Sequence, residues 1–77
     1  MEKILKEIMS DLFEVSLKDI NDSSSNETIE KWTSVAHLNL IVAIEEKFGI
    51  EIAADEIGEM LSFRKIKEII RAKNVKI

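Results

Sequence analysis

No cysteine occurs among the 77 residues, so neither a disulfide framework nor a thiolate metal site can hold this chain together. No apolar stretch approaches the roughly 20 residues needed to cross a bilayer, and the opening Met1-Glu2-Lys3-Ile4 lacks the apolar core of a secretory signal. The expectation is a cytoplasmic protein with no insertion into a membrane. Positive charge is also short: 11 Lys and Arg stand against 15 Asp and Glu, a net charge of −4 that sets the surface against nucleic-acid phosphates and toward basic partners. Histidine occurs once, at His37, one turn after Ser34. A Ser-His pair without an orienting acid, an oxyanion hole or a Gly-rich elbow is not the machinery of a hydrolase, so no catalysis by the chain itself is expected. A chain this short supports one small core, stabilised by helix packing, in a single domain over residues 1–77.

What is there is helical periodicity. Ile4, Leu5, Ile8, Met9, Leu12 and Phe13 form the apolar stripe of a first helix of about three turns. Val15 and Leu17 begin an irregular crossing, and residues 19–30 are rich in Ser, Asn and Asp, whose side chains compete with the backbone for hydrogen bonds and favour turns. That stretch reads as a long loop anchored to the core by Ile20 and Ile29. A second helix should run from Ser34 to Phe48 and stop at Gly49, the residue type that best accepts a left-handed cap. Leu40, Ala43, Ile44 and Phe48 share a face suited to the core, whereas Val35, Leu38 and Val42 make a second stripe. Either all of these are core, or the second stripe stays exposed and suits partner docking. Asp55 can cap a short third helix holding Ile57, Met60 and Leu61; Gly58 weakens it and should make it the most mobile element. Ser62 can cap a fourth helix with Phe63, Ile66, Ile69 and Ile70 inward. The fold class expected is all-α, a four-helix bundle with a long first loop and a short third helix.

Ser34 lies where a polar turn gives way to the longest apolar run. The first turn of a helix carries unpaired N–H groups and the positive end of the macrodipole, so a phosphate carried there is held favourably and Ser34 is a candidate phosphoester site. The plain alternative is that Thr33 or Ser34 is only the N-cap. Trp32 reads as a staple packed over the helix start, and His37 as a surface or partner-facing residue beside the serine.

The segment from Trp32 to Ile52 resembles the acyl carrier protein family. Its members open the second helix with Asp-Ser-Leu and continue through an Ala-Leu-Glu-Glu-x-Phe pattern. Here the matching residues are Thr33-Ser34-Val35 and Ala43-Ile44-Glu45-Glu46-Lys47-Phe48, the most specific part of the likeness. Length, helix spacing and the stretch from Phe63 to Ala72 also fit, so the likeness covers essentially the whole chain. The resemblance implies that Ser34 carries a covalent 4′-phosphopantetheine arm, added from coenzyme A by a separate phosphopantetheinyl transferase. Acyl or aminoacyl intermediates would ride on the arm's thiol as thioesters and be presented by a monomeric carrier to an acyl ligase, acyltransferase or ketosynthase. Two features depart from the family: Thr33 replaces the Asp and Val35 the Leu, and Ala36, His37 and Asn39 stand where members carry acids. The thinned acidity points to partners in a dedicated biosynthetic pathway.

Charge is unevenly spread. Between positions 45 and 59 six acids (Glu45, Glu46, Glu51, Asp55, Glu56, Glu59) face one base, Lys47; from 64 to 77 six bases, among them Lys67 and Lys76, face one acid, Glu68. The acidic middle could steer a basic partner toward the helix that begins at Ser34, which makes Val35, Leu38, Val42, Glu45, Glu46, Asp55 and Glu56 the candidate partner-binding residues. From another class, Asp19, Asn21, Ser23, Ser25, Glu27 and Glu30 fall at the oxygen-ligand positions of a 12-residue EF-hand loop, although Ser24 occupies the place of the turn glycine. A helical adaptor that never receives an arm is the third reading.

Overall fold

The computed structural model describes residues 2–73; Met1 of the opening segment and Lys76 of the basic stretch lie outside them. The described chain is all-α: α1 (Glu2–Phe13), a 3₁₀ turn (Leu17–Asp19), α2 (Ser34–Phe48), α3 (Ala54–Glu59) and α4 (Phe63–Ala72). No helix among the described residues is long and apolar enough to cross a membrane.

The periodic residues form the core. Leu5, Met9 and Phe13 of α1 meet Leu40, Ile41 and Ile44 of α2 and Phe63, Ile66, Ile69 and Ile70 of α4, all buried, with Ile20 and Ile29 reaching in from the loop. Each such side chain withdrawn from water contributes about 1.5–3 kcal/mol. On α2 the buried face is His37, Leu40, Ile41 and Ile44, whereas Ala43 and Phe48 are half-buried. The core face is thus rotated from the expected one toward Ile41, because positions 37, 41, 44 and 48 share one side at 3.6 residues per turn.

Local chemistry sets the helix ends. Thr33 is the N-cap of α2, its Oγ1 accepting from the Ala36 N–H at 3.2 Å. Gly49, at φ +64°, ends the helix, and the Ile50 N–H closes back on the Glu45 carbonyl at 3.3 Å. Ser62 caps α4 as expected, accepting from the Lys65 N–H at 3.1 Å. Asp55 does not cap α3. The extended residue before that helix is Ala53, which has no side-chain acceptor; Glu56 reaches back instead to take the Ala53 N–H at 2.9 Å, and Asp55 sits inside the first turn.

The loop at 19–30 is clamped from two directions. The Phe63 N–H donates to the Ser24 carbonyl at 2.9 Å and the Asn26 N–H to the Leu61 carbonyl at 3.1 Å, making a bridge of Ser25 with Ser62. The buried Ser24 hydroxyl accepts from the Asn21 N–H at 2.9 Å and faces the Asp19 carbonyl at 3.4 Å. Below the loop, the buried Lys67 sends its ammonium to Asp22 at 2.6 Å and Glu2 at 3.3 Å, 4.7 Å above the Phe63 ring. A long basic side chain on α4 therefore ties the loop and the start of α1 together.

Candidate functional site

The clamp and the cap together present Ser34. Thr33 takes the capping role, so the hydroxyl of Ser34, the first residue of α2, is left exposed with no hydrogen-bond partner among the described residues. The first turn of α2 contains no acidic residue, so nothing there opposes a negatively charged substituent at the positive end of this 15-residue helix. Beside the serine runs an open groove of about 270 Å³, lined by Asn26, Trp32, Thr33, Ser34, His37, Leu38 and Leu61.

The floor of that groove overturns one expectation. His37 is not a surface or partner-facing residue: it is 9% exposed, and both ring nitrogens are engaged. The Trp32 Nε1–H donates to its Nδ1 at 3.0 Å, and its Nε2 lies 2.8 Å from the Ile57 carbonyl. An indole N–H can only donate and a carbonyl can only accept, so the imidazole is the neutral tautomer with the proton on Nε2. Neither nitrogen is free to take a proton from Ser34. The ring instead fastens α3, which has no fully buried residue of its own, to the start of α2. Trp32 fulfils the staple expectation: it is buried and stacks on Phe13 at 4.7 Å and on His37 at 6.1 Å.

No family model matches the chain, and no curated protein matches it.

The candidate partner residues divide. Val35, Leu38 and Val42 are 70%, 57% and 52% exposed, a continuous apolar stripe leading away from Ser34. Of the acids, Glu46 and Asp55 are exposed and make no ion pair among the described residues. Glu45 and Glu56 serve the fold: Glu45 accepts from the Ile52 N–H at 3.0 Å, and Glu56 pairs with Lys73 at 2.8 Å. The Lys73 ammonium, helped by the Ala53 N–H, holds the Glu56 carboxyl below the usual carboxylate range.

The oxygen-rich loop does not converge on a cation. Asn21 Oδ1 accepts from the Ser23 N–H at 2.8 Å, Ser25 Oγ from the Glu27 N–H at 3.1 Å, and Asp22 turns to Lys67. Glu30 lies in a turn, with α2 beginning only at Ser34, and among the described residues no three His, Cys, Asp or Glu side chains come together as a metal site. This geometry counts against the EF-hand reading, because Asn21 and Ser25, two of its candidate ligands, satisfy nearby backbone donors instead. Sequence reasoning missed the Trp32–His37–Ile57 chain. The only available signal was the i, i+5 spacing of an indole donor and an imidazole acceptor, which means nothing until the loop places Trp32 beneath the helix.

Proposed function

We propose that this chain is a carrier of the acyl carrier type, in which Ser34 bears a 4′-phosphopantetheine arm and partner enzymes dock on the stripe of Val35, Leu38 and Val42. One observation carries the reading: the Ser34 hydroxyl is exposed at the start of a long helix and has no capping duty. A buried hydroxyl could not be reached by a transferase and a capping one would put its bond to the backbone at stake, whereas this one can be esterified without loss of a native hydrogen bond. The surroundings fit a phosphodiester, since the first turn lacks carboxylates and lies at the positive end of the helix dipole. The bound arm supplies a thiol that holds acyl groups as activated thioesters.

The chain's own residues do the rest. Thr33 ends the helix cleanly and keeps Ser34 at its rim; Trp32 and His37 hold the start of α2 against α1 and α3; Glu46 and Asp55 give a basic enzyme surface a charge to meet beside the apolar stripe. Docking by the whole four-helix unit gives the tethered group a high effective concentration at the partner's active site.

Incubation with coenzyme A and phosphopantetheinyl transferases, including one from the same organism, tests this reading by intact mass. The expected result is one added phosphopantetheine, lost in Ser34→Ala. Absence of an adduct with every transferase makes the chain an unmodified helical adaptor that uses the same stripe.

A further inference from the structure

Two titratable side chains are buried among the described residues, Lys67 and His37. Lys67 is paired with Asp22 and Glu2, whereas His37 has only uncharged partners. Its Nε2–H donates to the Ile57 carbonyl at 2.8 Å, and its Nδ1 accepts the Trp32 indole N–H at 3.0 Å. The ring can gain a second proton only at Nδ1, where the new N–H would point straight at the indole N–H, donor against donor. The surroundings offer that charged ring no compensation. One turn away on α2 stand Thr33, Ser34, Leu40 and Ile41, none of them charged, and α1 supplies Phe13, stacked on Trp32. From the loop come Trp32 and Asn26, while Lys31 is paired with Glu14 at 3.1 Å. The carboxyls of α3 are Asp55, Glu56 and Glu59; Glu56 is taken by Lys73 of α4 and the Ala53 N–H, and the other two are exposed.

We infer that the Trp32–His37–Ile57 chain is a proton-operated catch: a proton taken from solvent at His37 Nδ1 breaks the bond to Trp32, turns the ring toward water and frees α3. The inference does not rest on the carrier reading. Selectivity for α3 follows from how little else holds it. It is six residues long, contains Gly58 and has no fully buried residue of its own, and its ion pair to α4 is the one between Glu56 and Lys73. The core of Leu5, Met9, Leu40, Ile44, Ile66 and Ile70 contains no group that titrates and stays assembled. The closed arrangement holds one proton fewer than the open one. It is therefore favoured above the range in which an imidazole titrates, about pH 6.5 in water, and is lost as the pH falls through that range. Asp22 and Glu56, both held below the usual carboxylate range, respond only in stronger acid. Opening uncovers Trp32, which lines the groove beside Ser34, so mild acid alters the surface next to that serine.

Nuclear magnetic resonance of the full chain between about pH 8 and about pH 5 tests the catch. Imidazole ¹⁵N shifts should show a single proton on Nε2 at the upper end and a second on Nδ1 at the lower. Over the same range the Trp32 indole N–H and the α3 amides should lose protection against hydrogen exchange together, relative to an unstructured peptide at each pH, by about tenfold per pH unit once the ring titrates. Circular dichroism should retain the helices of the core. In His37→Gln, whose amide can accept from the indole and donate to Ile57 but does not titrate, protection should be flat. Flat protection in the native chain overturns the inference, as does a second proton on Nδ1 that leaves the indole and α3 protected. An equal acid response in His37→Gln overturns it too; should that variant not fold, the native chain's ring protonation and α3 exchange decide alone.

Discussion

The hydrogen bond between Trp32 and His37 makes the most demanding prediction, because the two side chains are buried and each leaves the other unsatisfied when removed. Trp32→Phe keeps a ring stacked on Phe13 but removes the only donor to His37 Nδ1. Tautomerisation does not rescue it, since moving the proton to Nδ1 turns a bare Nε2 lone pair toward the Ile57 carbonyl. His37→Leu keeps an apolar side chain of similar size but strands the indole N–H and frees the Ile57 carbonyl. A buried donor or acceptor left unpaired costs about 1–3 kcal/mol, against a total stability of about 4–12 kcal/mol for a domain of this size. With a urea slope near 1 kcal/mol per molar, each single variant should lower the unfolding midpoint by about 1–3 M, read by far-ultraviolet circular dichroism because the indole is one of the groups being changed. The double variant is the decisive measurement. Once His37 is gone the indole N–H is an orphan, so Trp32→Phe in that background should cost about 1–2 kcal/mol less than it does in the native chain. If the two effects simply add, to within about 0.5 kcal/mol, the indole and imidazole are not partners and the neutral-tautomer assignment is wrong.

Three further expectations follow from the same structure. Thr33→Ala should lower stability by about 1 kcal/mol and Ser34→Ala by less than about 0.5 kcal/mol in thermal unfolding, since only Thr33 caps α2; equal losses would contradict the division of labour between them. Gly58 lies inside α3 with open space around an added Cβ, so Gly58→Ala should stabilise by about 0.5–1 kcal/mol and slow amide exchange across α3, where native exchange is expected to be fastest among the helices; an unchanged rate would show that α3 is ordered by its tertiary ties alone. The Lys67 ammonium, hydrogen-bonded to Asp22, holds that carboxyl below the usual carboxylate range, and Lys73 does the same for Glu56. Both carboxyls are depressed on folding, so their contribution is complete above about pH 5 and is lost as acid titrates them below about pH 4, whereas Lys67, raised by Asp22 and Glu2, loses its contribution only above about pH 10.5. Asp22→Asn combined with Glu56→Gln should therefore flatten the acid limb of a stability–pH profile, and a profile with the same acid limb as the native chain would refute those pairings.

Helix number and most helix ends were legible in the residues themselves. A 3.6-residue apolar period with a hydroxyl cap at the start specifies a helix using only groups a few positions apart, which is why Ser34–Phe48, ended by Gly49, and Phe63–Ala72 fall where periodicity and caps place them. The exposed stripe of Val35, Leu38 and Val42 was legible as one of two alternatives, because α2 has more apolar residues than one face can bury. Asp55 misled because a good capping residue stood two positions beyond a poor one, and the side chain of Glu56 reached back across the gap.

Contacts between elements decided the remainder. Whether His37 faced solvent or core depended on Trp32 and on the Ile57 carbonyl 20 positions away; whether Lys67 was a surface charge depended on Asp22 and Glu2; and whether residues 19–30 wrapped a cation depended on the clamp to residues 61 and 63. Local sequence determines which backbone groups can satisfy themselves within a turn or two. Buried polar side chains must find partners wherever the folded chain brings them, so their roles exist only once the helices have packed.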